Sequence, residues 1–179
     1  MISAPIQWRG RGASPGFSLL EVLVAVLVLS IGLLGVAALQ ALSLRYNHEA
    51  YLRGQAVLLA YDMADRMRAN SSAFSSTTST YITATAADNG CTQTATADAA
   101  SCTSAQIAAH DLQEWNGSLA SLLPSGAGVI CKDATPNDGA SAAVPACSNT
   151  GSDYAVKVFW TEIQGGTPVT IRHSLAYTP

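Results

Sequence analysis

The chain has 179 residues, of which 49% are hydrophobic and only 12% charged, against about 25% charged in an average soluble domain. With 9 basic and 12 acidic side chains the net charge is -3, which excludes a nucleic-acid grip made by a basic surface. The length suits one domain with an adequate core, but the missing charge is concentrated: no residue between Glu21 and Arg45 is charged.

That interval is the first predicted element. From Val22 to Leu39 only Ser30 is polar, and at about 1.5 Å per residue a helix of this length nearly crosses a hydrocarbon core of roughly 30 Å. A helix apolar on every face has too few partners in so small a chain, so it is expected in a membrane. Arg9 and Arg11 precede it and favour a cytoplasmic N-terminus, a signal that Arg45 on the far side weakens. Ala37, Ala38 and Ala41 imitate a signal-peptide cleavage site, yet the helical pattern runs on. From Leu52, the residues Ala56, Leu59, Met63 and Met67 recur at steps of three or four, opposite Glu49, Arg53, Asp62, Asp65, Arg66 and Arg68. Asp62 and Arg66 stand at the favourable i,i+4 spacing. One long helix is expected, apolar in its first half and amphipathic in its second.

Glu21 is the exception inside the apolar stretch, where an ionised carboxylate costs roughly 3 kcal/mol unless paired. Two readings are open: it lies at the headgroup level by the positive end of the helix dipole, or it meets a cation from another molecule.

From Asn70 to Ser104 the chain is dominated by Ser, Thr and Ala, with Asp88 and Asp98 the only charges, and reads as loop with short strands. Asn70-Ser71-Ser72 and Asn116-Gly117-Ser118 match the N-glycosylation triplet, which is too short to assign a site. Leu112, Trp115, Leu119 and Leu122 then mark a short amphipathic helix ended by Pro124 and Gly126. Tyr154, Val156, Val158 and Trp160 alternate, as do Val169, Ile171, His173 and Leu175 beyond Gly165-Gly166, which predicts an antiparallel hairpin. Helix first and strands later indicate an α+β fold, the amphipathic half of the long helix lying on a small antiparallel sheet.

The four cysteines, Cys91, Cys102, Cys131 and Cys147, all follow the apolar helix. An N-in orientation exports them to an oxidising compartment, where an even count favours two disulfides. Three connectivities are possible; sequential pairing closes two short loops, worth on the order of 3 kcal/mol each, and is preferred. Without a C-x-x-C pair, zinc is not expected. Asp133, Asn137 and Asp138 beside Gly139 hint at calcium but miss the EF-hand spacing, and turn chemistry explains them. His48 reads as an exposed helix residue, His110 as lying beside a helix start and His173 as a strand residue. The three share no catalytic motif, so neither catalysis nor a cofactor is expected.

Gly16-Phe17-Ser18-Leu19-Leu20-Glu21-Val22, after a basic leader and before an apolar run, closely resembles the processing site of type IV prepilins and pseudopilins. The resemblance implies cleavage by prepilin peptidase between Gly16 and Phe17 and N-methylation of Phe17. Glu21 becomes the fifth residue of the mature chain, which in that family pairs with the terminal amine of a neighbouring subunit and thus supplies the missing cation. The longer run, with Ser30-Ile31-Gly32-Leu33-Leu34-Gly35, is similar to minor pilins of the PilV type, the type IV pilus modification proteins. Asp111-Leu112-Gln113-Glu114-Trp115, Leu122-Leu123-Pro124, Cys131 with Thr135-Pro136-Asn137-Asp138-Gly139, and Tyr154–Trp160 are weaker matches. The leader has arginines but no lysine, and the helix lacks the proline of many major pilins, leaving Gly32 and Gly35 as points of softening or of close packing.

The implied organisation is a leader over residues 1–16, a transmembrane and filament-core helix over 17–44, and a periplasmic pilin domain over 45–179 that includes the rest of the helix. The implied life history starts at the bacterial inner membrane and ends in the pilus at the cell surface. Its partners would be membrane lipid, prepilin peptidase, the assembly platform, other minor pilins and the major pilin, with no nucleic acid. A pseudopilin of a type II secretion system shares these features, and a membrane-anchored periplasmic binding module is the alternative that never polymerises.

Overall fold

The computed structural model describes residues 16–75, 78–91 and 102–178; Arg9, Arg11 and Asp98 lie outside them. Helix α1 runs from Leu19 to Ala69, 51 residues, and the chain divides at Arg45 and Tyr46 into two compact units.

In the first unit, Gly16–Ser18 lead into the helix and every described residue is exposed. Leu and Ala favour the helical backbone, and no proline interrupts it. Ser18 starts it, its hydroxyl accepting from the Glu21 N–H at 3.4 Å. Ser30 Oγ donates to the Val26 carbonyl at 2.7 Å, so the one polar side chain of the apolar stretch has a partner on its own helix.

In the second unit, α1 turns one face inward. Leu52, Ala56, Leu59, Ala60, Met63, Ala64 and Met67 are buried, the stripe expected from the spacing of the apolar residues. A short 3₁₀ turn, Ser71–Ala73, follows, then two antiparallel strands of two residues each, β1 (Phe74–Ser75) and β2 (Thr78–Ser79), and a single helical turn α2 (Thr80–Thr83). This polar stretch contributes Tyr81 to the core at 2% exposure.

Helix α3 spans Ser104–Leu122 and starts eight residues before the first apolar position that announced it. The reason is a capping box: the Thr103 hydroxyl accepts from the Gln106 N–H, and the Gln106 side chain accepts from the Thr103 N–H. His110 is therefore a mid-helix residue, buried, and not one beside a helix start. At the far end Leu122 is exposed and Leu123 buried, because Leu123 is the extended C-cap and turns its side chain inward. A Cβ on Gly126 would lie 2.1 Å from the Leu119 carbonyl oxygen, so only glycine allows the chain to pass the helix end so closely.

The sheet is antiparallel with order β3-β4-β5: Ala127–Lys132, Tyr154–Gln164 and Thr167–Tyr177. The hairpin β4–β5 pairs Tyr154 with Tyr177 through to Gln164 with Thr167 around Gly165-Gly166, both at positive φ. Strand β3, which no clear alternation announced, pairs along β4 from Ala127 opposite Phe159 to Lys132 opposite Tyr154. The central strand is buried continuously from Tyr154 to Trp160. One face, Tyr154, Val156, Val158 and Trp160, joins the core with α1 and with Trp115 and Leu119 of α3. This is an α+β, type IV pilin-like arrangement, helix over a three-stranded sheet.

Candidate functional site

Gly16 and Phe17 precede the first helical residue, and Phe17 is 83% exposed. The Gly16–Phe17 peptide bond therefore lies in accessible chain ahead of the helix. Glu21 is exposed in the first turn, where a carboxylate is favoured by the free N–H groups. Ser18-Leu19-Leu20-Glu21 is thus also a helix-start pattern of the S-x-x-E kind, a local role that the resemblance alone did not bring out.

Beyond Glu21 the helix shows apolar side chains up to Leu39, Ser30 excepted, with Leu29, Ile31 and Leu34 at 61–71% exposure. So large a continuous apolar surface is not stable in water and needs lipid or protein against it. A Cβ at Gly32 or Gly35 would meet nothing within 4 Å, so neither glycine serves a close contact with described residues.

Three polar clusters hold the second unit together. Arg53 of α1 donates to both carboxylate oxygens of Glu162 on β4, at 3.2 and 3.0 Å, and Trp160 Nε1 donates to Glu162 Oε1 at 3.0 Å. The Arg53 hydrogen bonds hold the fully buried Glu162 carboxyl below its ordinary range despite desolvation. Arg66 bonds Asp62 on its own helix, the i,i+4 pair, and also Asp111 and Glu114 on α3. Tyr81 donates to Asp111 Oδ2 at 2.6 Å and accepts from Asn70 Nδ2, which also donates to the Ser104 carbonyl. Asn70 is therefore a buried structural residue whose amide nitrogen is engaged, whereas Asn116 is exposed on α3.

The cysteines are paired Cys91–Cys102 and Cys131–Cys147. The second bridge closes the loop that holds Asp133, Asn137 and Asp138, and an ammonium group lies between the two aspartates. Lys157, on the face of β4 opposite the helix, is completely buried and lies 2.6 Å from Asp133 Oδ2 in ion-pair contact. Its Nζ donates to Asp138 Oδ1 and the Pro145 carbonyl, both at 2.7 Å, and to the Asp138 carbonyl at 3.1 Å. Asp133 Oδ1 accepts from the N–H groups of Thr135 and Ser148, which is the expected turn chemistry with a lysine added. Sequence reasoning missed Lys157; the signal was a lone charge in an otherwise apolar run, Tyr154–Trp160.

Burial pushes the Asp133 carboxyl up, but Lys157 and the two N–H groups outweigh it and bring it down to about 2. A depressed carboxyl contributes stability that is full above its unfolded value of 3.8 and lost as pH falls through its folded value. Stability of the folded unit in a denaturant titration should therefore fall between about pH 4 and pH 2. Asp133→Asn should flatten that limb; an unchanged profile would count against the ion pair.

Residues 12–37 match the family model described as the prokaryotic N-terminal methylation motif, and residues 38–113 match the model described as type IV pilin Tt1218. Over residues 38–113 the chain is similar to type IV pilins. The methylation motif in front of that stretch covers Gly16, Phe17 and Glu21. No curated protein and no solved structure matches the chain. The pilin match ends within α3, so the sheet and the Cys131–Cys147 loop lie beyond it. Type IV pilins are structural proteins, not enzymes, and the motif together with the apolar helix fits a membrane-anchored pilin.

Proposed function

We propose that this chain is a minor pilin, a type IV pilus modification or assembly protein of the PilV type. Prepilin peptidase cuts between Gly16 and Phe17 and methylates the Phe17 amine, removing the leader over residues 1–16. Residues 17–44 serve first as a membrane anchor, N-terminus in the cytoplasm, and then as a filament-core helix; residues 45–179 form the periplasmic domain. Glu21 pairs with the Phe17 amine of an adjacent subunit, which neutralises both charges in an apolar setting. The disulfide-bonded domain faces outward toward the other minor pilins and the major pilin.

The observation that carries this reading is the Gly16-Phe17 junction and Glu21 in front of an uncharged helical stretch, residues 22–44, in which no side chain is buried. Leader removal takes away Arg9 and Arg11 and leaves 7 basic against 12 acidic side chains. After Arg68 the balance is 8 acidic to 3 basic, which biases neighbour choice toward complementary surfaces.

Gly16→Val is expected to leave the precursor uncut, with slower gel mobility, while wild type yields a mature chain whose mass shows methylated Phe17. Normal cleavage of the variant would refute the site. Deletion of the gene separates the two machineries: loss of twitching motility supports a pilus subunit, and loss of protein secretion a pseudopilin.

A further inference from the structure

We infer that Lys157 gives the Cys131–Cys147 loop its shape, and that the disulfide seals a loop already closed. Cys131 is fixed by the sheet, opposite Ala155 on β4. Two residues further along β4, and so on the same face, Lys157 binds Asp133 and the Pro145 carbonyl. Those residues stand two positions inside the two cysteines, so one ammonium gathers both ends of the loop.

The neck is also bonded without sulfur. Asn149 N–H donates to the Lys132 carbonyl at 3.0 Å, and Ala134 N–H to Ser148 Oγ at 3.0 Å. From β5, Arg172 reaches over to donate to the Asn137 carbonyl at 2.8 Å and to the Gly139 carbonyl. Gly139 holds φ +101, and a Cβ there would lie 2.4 Å from the Pro145 carbonyl oxygen. The loop is thus drawn tight in its middle as well as at its ends.

Opening it would strand the Lys157 ammonium beneath the sheet without its oxygens, and a buried charge deprived of partners is strongly unfavourable. Closing it sets the cysteine Cα atoms 6.1 Å apart, within the range a disulfide spans. Oxidation then removes two electrons and two protons from the thiols. A disulfide oxidant such as oxidised glutathione takes them up and becomes two thiols.

The deciding measurement is amide hydrogen exchange on the full chain in detergent micelles. Cys131→Ala/Cys147→Ala should keep the amides of Asn149 and of Ala140, whose N–H donates to the Val144 carbonyl at 3.0 Å, within about 10-fold of wild-type exchange rates. Lys157→Met with its disulfide intact should speed them on the order of 100-fold. Loss of protection in the cysteine variant, or its retention in Lys157→Met, overturns the inference. If Lys157→Met does not fold, Asp138→Asn takes its place: faster exchange supports the inference and wild-type exchange overturns it.

Discussion

Trp115→Ala is expected to destabilise the Tyr46–Pro179 unit by about 3–5 kcal/mol in denaturant unfolding followed by circular dichroism. The indole is 1% exposed, and its Nε1 donates to the Leu59 carbonyl at 2.9 Å, so α3 is tied to α1 by a buried hydrogen bond as well as by packing. Its far edge lies against β3: a Cβ on Gly128 would stand 2.1 Å from Trp115 Cη2 and 2.3 Å from Cζ3. Real side chains do not approach so closely, so Gly128→Ala should cost about 1–3 kcal/mol through overpacking. The two positions should be coupled, because neighbours that share one volume do not add. In a Trp115→Leu background the cost of Gly128→Ala should shrink. An unchanged cost there would show that the indole does not exclude the side chain.

Glu21→Ala is expected to leave leader cleavage intact and to lower the amount of the protein in sheared pili by at least about 10-fold relative to the membrane pool. The estimate follows from leaving the Phe17 amine of a neighbour unpaired in apolar surroundings, roughly 3 kcal/mol. The purely local role of Glu21, a carboxylate at a helix N-terminus, is worth about 0.3–1 kcal/mol. That is too little for a tenfold effect, which needs about 1.4 kcal/mol, so the size of the loss separates the two readings of this residue. Wild-type incorporation of Glu21→Ala would leave only the local one. Glu21→Asp, which keeps the charge, should restore part of the incorporation.

What was legible in the sequence followed period and charge. The stripe from Leu52 to Met67 and the strands around Gly165-Gly166 were readable because one face of each is buried and the pattern repeats. Strand β3 was not, since Ala127–Lys132 is short and its pairing depends on β4. The first eight residues of α3 were hidden because Ser104–Asp111 carries no strong apolar stripe; Thr103 and Gln106 were the available signal. Tyr81 was lost in a Ser/Thr-rich stretch whose composition reads as loop, although its ring belongs to the core.

The sequence by itself determined the N-terminal device: a Gly16–Phe17 junction, Glu21, and a helix that water cannot solvate. These are properties of contiguous residues and of transfer between solvents, which need no fold to be read. Only the tertiary structure decided how the distant charges are used. Arg53 meets Glu162 across 109 positions, Arg66 joins α1 to α3, and Lys157 enters a cage built from three separated residues. Burial makes such ions tolerable only in pairs, and which ions pair is set by the approach of elements that the linear chain keeps far apart.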